Sequence, residues 1–113
     1  MTKRYYHKKL IRDKVPQKIE RNHGTYETRI LGTREFEKEL KKKLLEEAKE
    51  IITAPKGGMI NELADILELI KSVATHYKIP FKKVERFQQE KQNKLGAFKK
   101  RIFLIWSDQA AGK

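Results

Sequence analysis

Two acidic pairs, Glu47/Glu50 and Glu62/Asp65, are the residues of this chain best suited to do chemistry. The members of each pair are three positions apart, so on a helix they would lie on one face. A Pro-Gly stretch, Thr53-Ala-Pro-Lys-Gly-Gly58, separates the pairs and predicts a tight turn. Helices folded back at this turn would bring four carboxylates together, and such a group needs a cation to offset its charge.

The apolar residues around the acids indicate which way these acids point. At about 100° per residue, Glu47 falls within the apolar half of the first helix, Glu50 falls at its border and Glu46 points away. Glu62 falls within the apolar stripe of the second helix, with Asp65 on its edge. Four oxygen donors with no His or Cys at ligand spacing suit Mg²⁺ or Mn²⁺. We therefore interpret the four acids as metal ligands.

The alternative is an ordinary solvated helix surface. Lys41, Lys42, Lys43 and Lys49 surround the first pair, and Glu and Lys at helical spacing are common exposed partners. For a single acidic pair this alternative would be the better interpretation. Two inward-facing pairs on either side of one turn favour the metal, because unpaired inward acids are so unfavourable.

The pattern around these motifs predicts an all-α fold in a single domain, residues 1–113, with flexible ends at 1–8 and 107–113. Three long helices indicate a bundle containing an antiparallel helix hairpin. Residues 25–31 are predicted to be extended, and residues 101–106 to pack on the bundle, because an exposed apolar run invites aggregation. The predicted helices cover residues 13–21, with Pro16 in the first turn, 33–52, capped by Thr33, 58–77 and 81–96.

Composition limits the function classes. Of the 113 residues 38% are hydrophobic, which predicts a thin core and self-association. The absence of cysteine excludes disulfides and thiolate metal sites. No leader and no apolar run of membrane-spanning length is visible, so we expect a cytoplasmic protein. The net charge of +12 fits either a solvated surface or a polyanionic partner such as nucleotide phosphates, nucleic acid or a membrane surface.

Three ordered motifs resemble one family. Glu46-Glu47-Ala-Lys-Glu50 followed by Glu62-Leu-Ala-Asp65 resembles the EExxE…ExxD motif of the MazG-like nucleoside triphosphate pyrophosphatases, a superfamily that includes phosphoribosyl-ATP pyrophosphohydrolase. Lys9-Leu-Ile-Arg-Asp-Lys-Val-Pro16 resembles the KLVRDKIP stretch of its small phosphoribosyl-ATP pyrophosphohydrolase-like branch. Residues 91–103 resemble the K…KRGGF…KRI ending of that branch, but Leu95 and Ala97 replace an Arg and a Gly common there.

The resemblance implies hydrolysis of a nucleoside triphosphate to the monophosphate and pyrophosphate, with Mg²⁺ as cofactor and Mn²⁺ as a substitute. It implies a MazG-like helical bundle completed by oligomerisation into a homodimer or homotetramer. The metal ligands of the family match Glu47, Glu50, Glu62 and Asp65, and its catalytic acids match Glu47, Glu50 and Glu46. The implied substrate-binding residues are Lys91, Asn93, Lys94, Lys9 and Arg12.

Several alternatives stay open from the sequence. Lys91 shares a helix face with apolar residues, which suits either a phosphate contact or a side chain that reaches solvent. The motifs do not separate cleansing of the nucleotide pool from phosphoribosyl-ATP hydrolysis in histidine biosynthesis. A basic helical module that binds nucleic acid is a further alternative, although the basic residues are dispersed and no known nucleic-acid-binding signature is present.

Overall fold

The computed structural model describes residues 3–110, and this part of the chain is helical without strands. The all-α prediction is confirmed. The chain divides into two compact units, one ending at Pro80 and the other starting at Phe81. The ends predicted to be flexible include residues 1–2 and 111–113, which lie outside the described residues. The helices are α1 (Val15–Arg21), α2 (Thr33–Thr53), α3 (Met59–His76), which follows a 3₁₀ turn at Lys56–Gly58, and α4 (Phe81–Leu95).

The helix boundaries follow local backbone chemistry. Pro16 lies in the first turn of α1 as predicted, where its missing N–H costs no hydrogen bond. Helix α2 stops before Pro55, whose ring drives the preceding Ala54 into an extended conformation with ψ 137°. Gly96 follows α4 with φ 86°, a value that glycine adopts without strain. The predicted Thr33 cap is wrong, because Thr33 is already helical and Gly32 occupies the cap position.

Helices α2 and α3 form an antiparallel hairpin in the first unit. Near the start of α2, Oε1 of Glu37 lies 3.2 Å from Nε2 of His76 at the end of α3. The ring of Phe36 packs edge-on against the same histidine, with 5.5 Å between ring centroids. At the other end of the hairpin, Glu47 of α2 lies beside Glu62 of α3. The hairpin therefore holds residues 47 and 62 level with each other, close to the connecting loop.

The core of the hairpin is small. Leu40, Leu69 and Ala74 are the buried hydrophobic residues of the described chain. On each helix, a second row of apolar side chains lies beside the row that faces the partner helix. The second row is rotated in the same direction about the axis of each helix, and because the helices are antiparallel, both second rows lie on one side of the hairpin. We call this side the open apolar face, and its residues are 39–82% exposed. They are Leu45, Ile52, Ile60, Leu63, Leu67 and Ile70.

In the second unit, Ile102-Phe-Leu-Ile-Trp106 lies in neither a helix nor a strand and is 58–89% exposed. The run is thus not covered within its own unit, and its packing on the helices of the first unit stays a prediction. Helix α4 has only four large apolar residues, too few to cover the run. Separately, none of the described helices combines the length and apolar character required to cross a bilayer.

Because the core is so thin, truncation of one central leucine should have a large effect. We expect Leu40→Ala to lower the free energy of unfolding by about 2–4 kcal/mol, through lost burial and the cavity left behind. Ile30→Ala is the control, since Ile30 is 97% exposed. Urea denaturation followed by circular dichroism measures both variants, and equal destabilisation by the two would contradict this assignment of the core.

Candidate functional site

The register of the hairpin brings three acidic side chains together. Glu47 comes from α2, while Glu62 and Asp65 come from adjacent turns of α3. One carboxylate oxygen of each lies within 4.8 Å of the other two, and all three residues are half-buried. We call these residues the acidic cluster. Three of the four predicted metal ligands thus share one location between two helices.

The cluster contains polar atoms that the protein does not satisfy. Oε2 of Glu47 and Oε2 of Glu62 are both buried, and neither has a hydrogen-bond partner. Ionised carboxylates only accept hydrogen bonds, so Glu47 and Glu62 can bond to each other only when one of them carries a proton. A buried acceptor without a donor costs free energy. The cluster is therefore stabilised by whatever supplies positive charge, either a proton or a cation.

The protonation of Glu47 reflects this environment. The pKa of Glu47 is raised from 4.5 to about 7, and burial is the largest of the causes. A hydrogen bond to Glu62, which the protonated form donates, and the negative charges of Glu50, Asp65 and Glu62 account for the rest of the increase. Both effects disfavour the ionised carboxylate. At neutral pH and without a cation, Glu47 is consequently only partly ionised.

Asp65 differs from the two glutamates because both of its oxygens have donors. Nη2 of Arg12 donates to Oδ1 over 2.7 Å, and Nδ2 of Asn61 lies 3.5 Å from Oδ2. Arg12 is positioned by the turn that begins α1, in which the Val15 N–H donates to the Arg12 carbonyl over 3.1 Å. Asp65 is thus the charge-compensated member of the cluster, and Glu47 and Glu62 contribute the oxygens that lack a donor.

Two predicted acids lie outside this group. Glu50 is exposed and does not belong to the set of oxygens within 4.8 Å, although its charge reaches Glu47. Glu46 is exposed and points away from the cluster, in agreement with its position on the helix. The structure therefore brings together Glu47, Glu62 and Asp65, and leaves Glu50 and Glu46 towards solvent.

The predicted substrate-binding residues occupy both units. Arg12 and the exposed Lys9 lie in the segment before α1. Lys91, Asn93 and Lys94 lie on α4 of the second unit, and all three are exposed. The side-chain amide of Asn93 accepts a hydrogen bond from Gln89 over 3.0 Å. Of the predicted substrate-binding residues in the first unit, Arg12 is in direct contact with the acidic cluster.

Sequence reasoning missed two contacts of the cluster. The first is Asn61, whose i, i+4 spacing to Asp65 is a known signal for an amide–carboxylate pair on a helix. The second is the ion pair between Arg12 and Asp65, which are 53 positions apart. No spacing rule connects residues so distant, so only the tertiary fold could reveal this pair.

The acidic cluster fits a hard divalent cation on chemical grounds. Its donors are carboxylate oxygens, which Mg²⁺ and Mn²⁺ prefer, and two of its buried oxygens lack a partner. Comparison with known proteins adds no relative, since no family model, no curated protein and no solved structure matches the chain. The function is therefore inferred from this site and from the motifs in the sequence.

The raised pKa of Glu47 predicts how stability depends on pH when metal is absent. The folded state holds the Glu47 proton up to about pH 7, whereas the unfolded chain releases it near 4.5. This carboxyl therefore favours folding most at low pH, and its contribution declines as the pH rises between these two values. In EDTA, we expect the thermal midpoint of the wild type to include a decrease with rising pH that is due to Glu47. We expect the Glu47→Gln variant to lack this part of the decrease.

Melts followed by circular dichroism at about pH 5 and about pH 8 test the prediction. The difference between the wild type and Glu47→Gln isolates this group from the other titrating residues. An identical pH dependence in the two proteins would show that Glu47 titrates normally.

Proposed function

We propose that this protein is a Mg²⁺-dependent nucleoside triphosphate pyrophosphohydrolase of the MazG-like kind. It would cleave a ribo- or deoxyribonucleoside triphosphate, or a non-standard nucleotide, to the monophosphate and pyrophosphate. The observation that supports this most is the pair of buried, donor-less oxygens on Glu47 and Glu62, two residues from neighbouring helices that cluster with Asp65. These residues occupy three positions of the motif that resembles EExxE…ExxD.

Glu47, Glu62 and Asp65 would hold the cation, and Glu50 would complete the set by a turn of its exposed side chain. Mg²⁺ or Mn²⁺ would neutralise phosphate charge and lower the pKa of water when bound. A cation at the cluster also removes the need for a proton on Glu47, because it provides the positive charge that the buried oxygens lack. The same residues that destabilise the empty hairpin would then stabilise the loaded one.

The reaction requires a positioned water molecule and a group that accepts its proton. The oxygen of a water molecule forms a bond to phosphorus while the bond linking the α- and β-phosphates breaks and pyrophosphate departs. The water must give up a proton, and Glu50 is an exposed carboxylate close enough to influence Glu47. We propose that the Glu50 oxygen not engaged by the cation positions and deprotonates the water, with Glu46 one turn away as a second exposed carboxylate.

Basic residues would bind the phosphates of the substrate. Arg12 already contacts the cluster, and Lys9 lies three positions before it. On α4, Lys91, Asn93 and Lys94 are exposed and available to a polyanion. The net charge of +12 favours approach of a triphosphate in general. Assays with a nucleotide panel, including phosphoribosyl-ATP, and a pyrophosphate readout would identify the substrate.

Substitution of one cluster residue tests the activity. We expect Glu62→Gln to reduce Mg²⁺-dependent pyrophosphate release at least about 100-fold, because a bound ion contributes several kcal/mol to this chemistry. The helical circular dichroism signal should persist, since the new amide can donate to the Glu47 carboxylate. Glu68→Gln is the matched control, because Glu68 is an exposed acid on the same helix. Full activity in Glu62→Gln would remove the cluster from the mechanism. Glu50→Gln should also abolish pyrophosphate release.

We also propose that the chain assembles into a homodimer or homotetramer through the open apolar face. Six large apolar side chains share one side of the hairpin, while only three hydrophobic residues of the described chain are buried. A surface of this kind is costly to leave in water. A second copy is the simplest cover, because a twofold axis brings the same apolar surface of each subunit into contact.

A charge placed on the open apolar face should disrupt this assembly. We expect Leu67→Lys to convert the wild-type oligomer to monomer in sedimentation experiments at tens of micromolar, where weak complexes still form. Glu68→Lys is the neighbouring control on the polar side of α3, and it should leave the oligomer intact. A monomeric wild type would contradict the proposal, and so would an oligomer that Leu67→Lys leaves unchanged.

A further inference from the structure

The acidic cluster already has one positively charged side chain in contact with it. Nη2 of Arg12 lies 2.7 Å from Oδ1 of Asp65, one of the three residues that would bind the divalent ion. Oδ2 of the same carboxylate faces the Asn61 amide at 3.5 Å. Both oxygens of Asp65 are therefore engaged by donors. Each carboxylate oxygen can accept more than one partner, so an incoming cation that uses Asp65 would lie beside one of these donors.

Arg12 is the donor that a cation would displace. A guanidinium stays charged at all accessible pH values, so a divalent ion on the same oxygen would repel it at short range. The neutral Asn61 amide meets no such repulsion. The side chain of Arg12 is 57% exposed, and an ion pair this exposed is weak and opens readily. The geometry thus sets the arginine and the metal in competition for Asp65.

We propose that Arg12 is a placeholder cation: it neutralises Asp65 while the metal is absent, and divalent-ion binding releases its guanidinium to bind a substrate phosphate. This proposal rests on the proposed function, because it describes how the same site is loaded. Before loading, Arg12 reduces the mutual repulsion of three carboxylates within 4.8 Å. After loading, the freed guanidinium can pair with phosphate oxygens in the bidentate geometry that arginine favours.

A different role for Arg12 makes the opposite prediction. If Arg12 merely fixed Asp65 in the correct position for the metal, its removal would weaken metal binding. If it competes with the metal, its removal strengthens metal binding when nucleotide is absent. The sign of the change in affinity separates the two roles, and the measurement does not depend on enzymatic activity.

The test measures Mn²⁺ binding without nucleotide, by electron paramagnetic resonance of free Mn²⁺ and by calorimetry. We expect Arg12→Met to bind Mn²⁺ about two- to fivefold more tightly than the wild type, the size expected for an exposed ion pair. Lys18→Met removes one exposed positive charge from α1 and controls for net charge. It should leave the affinity unchanged. Arg12→Lys keeps a charge and should remain close to the wild type.

A second measurement follows Arg12 in the wild-type chain and uses the conservative Arg12→Lys variant only for assignment. The side-chain N–H resonances of Arg12, assigned by their loss in Arg12→Lys, should shift when Mg²⁺ is added. In activity assays, Arg12→Met should raise KM for the nucleotide, because the phosphate contact is lost.

The outcomes separate the two proposals. Unchanged or weaker Mn²⁺ binding by Arg12→Met, with a wild type that binds Mn²⁺ and hydrolyses nucleotide, overturns the placeholder and leaves the proposed function standing. Tighter binding by Arg12→Met without hydrolysis of any nucleotide supports the exchange and overturns the proposed function. A wild type that binds no Mn²⁺ overturns both.

Discussion

The first unit depends on the placement of acidic side chains at the interface of two antiparallel helices. Glu47 and Glu62 each direct one oxygen into that interface, and neither oxygen finds a donor there. A helix pair that buries so few hydrophobic residues has little free energy with which to offset this cost. The hairpin is thus least favourable at the end near its loop, where a cation would contribute most.

At the opposite end of the hairpin, side chains of the chain itself compensate an acid at the helix interface. Glu37 is also an acid at the interface, but it lies 3.2 Å from His76 and 4.0 Å from Lys41. Hydrogen bonds from Tyr77 and His76 lower the pKa of Glu37, in contrast to the raised pKa of Glu47. The hairpin therefore has one acid that is paired with side chains of the chain, and a group of acids that lack some of their hydrogen-bond donors. This contrast is why we place the ligand site at residues 47, 62 and 65.

The charge distribution fits a site for a polyanion bound through a metal. A chain of net charge +12 holds the donor-less buried oxygens of Glu47 and Glu62 between two helices, while most of its described basic residues are exposed. If the proposed function holds, a nucleoside triphosphate meets basic side chains first and the proposed cation at the cluster last. Arg12 would take part in both steps, because it contacts Asp65 and remains largely exposed.

The sequence alone determined the helices and the direction of the acids. Periodicity placed Glu47 and Glu62 inward and Glu46 outward, because side-chain direction on a helix depends only on spacing. Proline and glycine placed the turn between residues 53 and 59, because both act on the local backbone. Capping was predicted less well: Thr33 and Gly32 are neighbours, and composition alone assigned the cap to the wrong one.

Only the tertiary structure decided which groups meet. The Arg12–Asp65 pair joins residues 53 positions apart, and no local rule links them. The sequence placed Glu50 at the border of the apolar half and assigned it as a ligand together with Glu47. It lies outside the cluster, because a rotation of about 60° around the helix separates the half-buried Glu47 from the exposed Glu50. The exposure of residues 102–106 was also decided in three dimensions. Burial of an apolar run is favourable, but the sequence of the run does not specify which surface buries it.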